Sequence, residues 1–179
     1  MSASKKLQKT DEAEIGFGGR FAFFVATGAG AGLIPGAPGT YGSIEGVALY
    51  VCLAALDRRL GLGGLQVVSM LIAANVIVYA VGTLAAGSVC RMLDSKDPGQ
   101  VVVDEISGQL IALSPMLASP TLRGMIVGFL LFRLLDIFKP LLIRRVEGLP
   151  GGFGVMTDDV LAGIYAAILV GLGRAVHLI

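Results

Sequence analysis

Charge is the scarcest property of this 179-residue chain: Asp, Glu, Lys and Arg make up only 15% of it, against 55% hydrophobic residues and a mean hydropathy of +0.81. Water-soluble domains run nearer 25% charged, so an ordinary soluble fold is excluded. No charged residue falls between Arg59 and Arg91, and about 20 apolar residues suffice to cross a bilayer. Residues 65–86 therefore read as a spanning helix. A formal net charge of +1 gives no global field to attract nucleic acid, and the length suits one domain. Cysteine is nearly absent. Cys52 and Cys90 lack the paired spacing of a zinc site or a disulfide framework and read as small core hydrophobes. The single histidine, His177, stands third from the C-terminus, which sets histidine chemistry aside. Cys52 and Arg58 formally satisfy C-x5-R, but the residues between them include no glycine to turn backbone amides toward a phosphate. No nucleophile elbow, Walker loop or H-E-x-x-H motif appears.

What the chain does hold is a series of apolar segments, at 21–34, 44–56, 65–90, 106–118, 124–143 and 160–179. Only 65–90 is comfortably long. The segments at 21–34, 44–56 and 106–118 are short for full crossings, and Pro115 should kink or stop the third. The expected fold is all-α: a compact multi-helix integral membrane bundle with short or re-entrant segments. Residues 1–20 read as a polar cytoplasmic tail rather than a signal peptide, because Asp11, Glu12 and Glu14 follow Lys5, Lys6 and Lys9.

Carboxylates beside apolar runs are costly, about 2.5 to 3.5 kcal/mol each at the bilayer centre on insertion scales, so they normally line a wet cavity and serve a purpose. They occur in three stretches: VVVDEISGQ with Asp104 and Glu105, FRLLDIFKP with Asp136, and GVMTDDVLAG with Asp158 and Asp159. If the six segments alternate in direction, these stretches and the PGAPGTYGS turn at 35–43 all emerge on one side, which points to a composite site. Oxygen ligands without histidine suit a hard cation such as Mg²⁺. Neighbours on a helix diverge by about 100°, so one acid of each pair is expected to ligate and the other to orient water or cap. Arg133, Asp136 and Lys139, spaced by three, form a stripe on one helix, either facing substrate or containing an ion pair that shields charge from lipid. Pro140 pushes Lys139 out of helical geometry. Gly39, Thr40, Gly42 and Ser43 form a turn able to present backbone N–H groups and hydroxyls to an anion.

Topology bears on orientation. Should 21–34 cross, Lys5, Lys6, Lys9, Arg20, Arg58, Arg59, Arg123 and Arg174 lie opposite the motifs, which would then face outward by the positive-inside tendency. Should it dip in and return, the N-terminal lysines join Arg91, Lys96, Lys139, Arg144 and Arg145 on the motif side. The shortness of 21–34 favours the dip and a cytoplasmic site.

The blocks GTYGS, VVVDEISGQLIAL, FRLLDIFKP and GGFGVMTDDVLAGIYA, in that order, resemble the signature blocks of bacterial phosphatidylglycerophosphatase A, from about Gly28 to about Ala167. The resemblance implies a Mg²⁺-dependent inner-membrane enzyme, residues 21–179 forming one membrane-embedded phosphatase domain, that converts phosphatidylglycerophosphate to phosphatidylglycerol and inorganic phosphate. Carried onto this chain, it implies Asp104, Glu105, Asp136, Asp158 and Asp159 as catalytic and metal-ligating residues. Gly39, Thr40, Gly42, Ser43, Arg133 and Lys139 would hold substrate. Metal-activated water is the expected attacker, with a covalent aspartyl-phosphate the alternative. Leu141 and the lack of tryptophan depart from the family pattern and weaken interfacial anchoring. A transporter, whose ion sites sit at helix breaks near the midplane, or a non-catalytic membrane assembly subunit with an acidic ion site are the competing classes.

Overall fold

The computed structural model describes residues 16–117, 119–139 and 149–179. Among them run six α-helices: α1 Phe17–Ala26, α2 Pro38–Leu60, α3 Gly64–Met92, α4 Val103–Leu113, α5 Leu122–Phe138 and α6 Gly152–Ala175, with 3₁₀ turns at Ala31–Leu33 and Ser114–Met116. The protein is an all-α membrane bundle. Three helices, α2, α3 and α6, are long and apolar enough to cross a membrane. On α3 the side chains of Val68, Ile72, Val76, Ile77 and Leu84 are each more than half exposed, as suits a face turned to lipid.

The shortest of the buried helices organises the rest. Eleven residues carry α4 only about 16 Å, half the thickness of a hydrocarbon core, and bare helix ends at that depth would leave backbone groups unsatisfied in lipid. The bundle prevents this by packing α2, α3, α5 and α6 around α4, so that Ser107, Gln109, Leu110, Ala112 and Leu113 are fully buried. Below α4, Tyr50, Leu71, Met116 and Val170 join Leu110 and Leu113 in one apolar core, and Ala26, Val89, Val103 and Met156 join at its upper end in another. Since lipid is as apolar as leucine, small residues that let backbones approach supply the packing. A Cβ placed on Gly46 would stand 2.7 Å from that of Gln109, and one on Gly42 would stand 2.7 Å from the Val102 carbonyl oxygen.

Pro115 does stop α4, and the break is sealed from α6: Arg174 Nη1 donates to the Pro115 carbonyl at 2.5 Å, and Nη2 to the Ser119 hydroxyl. Three segments differ from their expected bounds. The segment expected at 44–56 becomes 23 residues: Pro38 occupies the first turn, where its missing N–H costs nothing, and the helix stops at Gly61 in the left-handed conformation (φ +60°). The segment at 160–179 begins eight residues earlier, at Gly152, because that glycine packs directly on the α3 backbone at Thr83 and Gly87. At the N-terminus α1 begins at Phe17, inside the stretch read as tail, and ends at Ala26 before Gly28 and Gly30, both with positive φ. Lys5, Lys6, Lys9, Ala118, Pro140, Leu141, Arg144 and Arg145 lie outside the described residues.

Candidate active site

Gly108 on α4 and Gly163 on α6 bring two backbones into contact, since a Cβ on Gly163 would meet the Gly108 carbonyl. Residues four apart share a helix face. Asp104 and Asp159, each one turn before its glycine, are therefore held together where the two helices cross. Oxygens of Asp104, Glu105 and Asp159 all lie within 4.8 Å of one another. Asp104 and Asp159 are 8% and 3% exposed, and Asp104 Oδ1, Glu105 Oε2 and Asp159 Oδ2 are buried without a hydrogen-bond partner among the described residues. Burial raises the Asp104 carboxyl well above the usual carboxylate range, and the charge of Glu105 beside it adds to the rise. Burial raises Glu105 as well.

The acidic pairs divide differently. At α6, Asp159 turns into the cluster while Asp158 turns away, its Oδ2 accepting from Lys139 Nζ at 2.6 Å and its Oδ1 from the Asp159 amide at 3.1 Å. At α4 the expected division fails, because Asp104 and Glu105 both reach the cluster. They occupy the first turn, where helical side chains tilt toward an open N-terminal end, and the longer Glu105 chain closes the angular gap.

Two cations border the carboxylates. Arg133 Nη1 lies 2.6 Å from Asp136 Oδ2 and 4.0 Å from Glu105 Oε1. The intrahelical pair is thus present, yet it also faces the cluster. Asp136 is not among the three clustered acids; its charge nevertheless bears on both Glu105 and Asp159. Lys139 takes a left-handed backbone (φ 41°) at the end of α5, outside the right-handed helical region that a following proline disfavours, and reaches Asp158 on α6. Tyr79 Oη and Thr157 Oγ1, 2.9 Å apart, tie α3 to α6 beside Asp158.

The 39–43 block is helical rather than looped. The amides of Thr40 and Tyr41 close on the Ala37 carbonyl, which removes two of the N–H groups expected to face an anion. Gly39 lies against the cluster: a Cβ there would strike Glu105 Oε1 and stand 3.0 Å from Arg133 Nη1. Gly42 faces Val102, and the fully buried Ser43 hydroxyl donates to the Gly39 carbonyl at 2.8 Å. These two residues hold α2 against α4 rather than reaching the acids.

Beside the cluster opens a cavity of about 540 Å³, whose walls include Lys96, Asp97, Pro150, Gly151, Gly154 and Asp158. The sequence marked Lys96 only as a topological charge and Asp97 not at all. Their position seven or eight residues before Asp104, in the same short connection, was the available signal.

The described residues thus bring three carboxylates together, with the pairs Arg133–Asp136 and Lys139–Asp158 at their border and a cavity alongside, in a membrane bundle. The family model described as phosphatidylglycerophosphatase A matches residues 24–174. A protein of Bacteroides thetaiotaomicron named putative phosphatidylinositol-3-phosphatase is 37% identical, over 84% of this chain and 91% of its own. Proteins named phosphatidylglycerophosphatase A from Haemophilus influenzae and Escherichia coli are 39% and 31% identical, covering 82% and 80% of this chain and 84% and 77% of theirs. No solved structure matches. The matched region holds all five carboxylates and both cations that border them, and the chain belongs to the phosphatidylglycerophosphatase A family.

Proposed function

We propose that this membrane protein is a Mg²⁺-dependent lipid phosphatase that hydrolyses phosphatidylglycerophosphate to phosphatidylglycerol and inorganic phosphate. The observation that carries the reading is that Asp104, Glu105 and Asp159 each bring a carboxylate oxygen within 4.8 Å of the others, while each also has a buried oxygen without a hydrogen-bond partner among the described residues. Buried charges are normally paired or bound to metal, and an all-oxygen donor set suits Mg²⁺. Asp104, Glu105 and Asp159 would hold the cation, with Asp136 close by. When bound, Mg²⁺ supplies charge stabilisation to the phosphoryl oxygens and acidifies water.

The chain's own groups do the rest. Arg133 keeps N–H donors beyond its contact with Asp136, since a guanidinium offers five in a fixed fork, and these grip the phosphoryl oxygens. Gly39 leaves the gap beside Glu105 and Arg133 open. Water attacks phosphorus and the ester P–O bond breaks. Asp159 Oδ2 receives the proton from the water and returns it to the departing glycerol oxygen. Lys139, steered by Asp158, offsets the charge that builds on that oxygen. The acyl chains remain in the bilayer throughout.

We place the enzyme in the bacterial inner membrane with its site toward the cytoplasm. Ten residues give α1 about 15 Å, too little to cross, and its end at Ala26 bonds to the Val102 amide at 2.8 Å beside the site. That supports the arrangement in which the N-terminal lysines count with Arg91, Lys96 and Lys139.

Phosphate release from detergent-purified protein tests the reading, with phosphatidylglycerophosphate, phosphatidic acid and phosphatidylinositol 3-phosphate compared with and without Mg²⁺. Fastest turnover of phosphatidylglycerophosphate, lost on chelation, is expected. Preference for the inositol lipid would transfer the substrate to that named for the Bacteroides relative, and activity indifferent to chelator would remove the metal.

A further inference from the structure

The acidic cluster accounts for one phosphate, but the cavity beside it, Asp158 apart, has no part in that chemistry. At about 540 Å³ it falls within the range of roughly 300 to 1,000 Å³ usual for small-ligand sites, well beyond what one phosphoryl group fills. Its walls are firmly set. On one side Gly152 packs against the α3 backbone with no room for a Cβ. On the other, the connection from α3 to α4 is pinned by the Ser95 amide on the Cys90 carbonyl at 3.1 Å, the Cys90 thiol on the Lys96 carbonyl at 3.4 Å and the Val101 amide on the Pro98 carbonyl at 2.9 Å. This connection carries Lys96 and Asp97 to the wall of the cavity that Asp158 also lines. The cavity and the cluster meet at adjacent residues, Asp158 lining the first and Asp159 belonging to the second.

A substrate bound across both would therefore have its reacting phosphomonoester at Asp159 and its next few atoms in the cavity. Those atoms would meet a wall that includes Lys96, Asp97, Asp158, Pro150 and Val155, whose cation, Lys96, suits a second phosphate joined to the first through a polyol. We propose that Lys96 is a specificity-determining residue that pairs with the phosphodiester of the lipid head group, while Asp97 accepts the hydroxyl of the bridging glycerol. The inference rests on the phosphatase reading above and extends it: the enzyme recognises a phosphomonoester by the second phosphate that tethers it to lipid. Phosphatidic acid, whose only phosphate is the reacting one, leaves Lys96 without a partner.

Two measurements test this on the full chain in detergent. In mixed micelles, Lys96→Gln should raise KM for phosphatidylglycerophosphate about 10- to 100-fold, the loss of one charge-assisted contact, with kcat within about twofold. Its kinetics on phosphatidic acid should stay as in the unaltered protein, and Lys96→Arg should restore KM. Separately, calorimetry with chelator present should show glycerophosphoglycerol, the diester head group without a monoester, binding to the unaltered protein and to Lys96→Arg but not to Lys96→Gln. Equal losses on both lipids, an unchanged KM, or diester binding indifferent to Lys96 would overturn the subsite while leaving the phosphatase reading intact. Lys96-dependent diester binding by a protein that releases no phosphate would support the subsite and sink the phosphatase reading.

Discussion

Gly163→Ala is the substitution whose consequence follows most directly from the crossing of α4 and α6. A Cβ at Gly163 would stand 3.0 Å from the carbonyl carbon and the Cα of Gly108, and closer still to its oxygen, whereas ordinary contact begins near 3.4 Å. Both opposing groups are backbone, so no side chain can rotate away and the helices must part by about 0.5 to 1 Å. Asp104 and Asp159 sit one turn from the point of contact and part with them. Overpacking of this kind costs about 1 to 3 kcal/mol of stability. A misplacement of about 1 Å in a catalytic constellation costs roughly 100-fold in rate. Gly171, farther along α6, is the control: a Cβ there meets only Pro115 Cβ at 4.0 Å, and alanine should be neutral or stabilise by up to about 1 kcal/mol through helix propensity. The assay is kcat for phosphate release from phosphatidylglycerophosphate, beside the thermal unfolding midpoint in the same detergent. Gly163→Ala with the activity and midpoint of Gly171→Ala would refute the claim that this contact sets the spacing of the acids.

Asp159→Asn should lower kcat by at least about 100- to 1,000-fold without unfolding the protein, whereas Asp158→Asn, which weakens one contact of Lys139 but leaves the three clustered acids, should cost nearer tenfold; steady-state kinetics on both variants separates the two roles. Arg174→Ala leaves the Pro115 carbonyl and the Ser119 hydroxyl without their partner at the far end of α6. The unfolding midpoint should fall by an amount equivalent to about 1 to 3 kcal/mol, with kcat unchanged. Metal demand should depend on pH in a fixed direction. The Asp104 carboxyl is raised above its usual range, so as pH falls it takes up a proton earlier than an ordinary carboxylate and ceases to ligate. Lowering pH from about 8 to about 6 should therefore raise the Mg²⁺ concentration needed for half-maximal activity, read from activation curves at each pH.

The candidate site was legible in the sequence wherever its geometry reduced to helix periodicity and charge cost. Asp104, Asp136 and Asp159 stood out because carboxylates beside apolar runs need a reason, and Lys139 left the helix because Pro140 follows it. What the sequence did not disclose depended on contacts between distant elements. Whether the Gly151–Gly154 stretch is loop or helix is decided by Thr83 and Gly87 lying against Gly152, which no local pattern records. The turn chemistry of residues 35–43 is that of a hairpin, yet Pro38 starts a helix, which ties up the amides of Thr40 and Tyr41. Glu105 shares a point with Asp104 because it sits in a first turn with space before it, a boundary set by the Ala26 carbonyl holding the Val102 amide. The sequence leaves Arg133 either a shielded ion pair or a site residue; the pair with Asp136 is present, and the same guanidinium also approaches Glu105.

The central claim is that Asp104, Glu105 and Asp159 hold a divalent cation together. Electron paramagnetic resonance of Mn²⁺ added to the detergent-purified protein tests it without reference to any substrate. Bound Mn²⁺ should appear with the unaltered protein and with Asp158→Asn, be displaced by Mg²⁺, and vanish with Asp104→Asn or Asp159→Asn. Equal binding by all four proteins, or binding by none, would contradict the account.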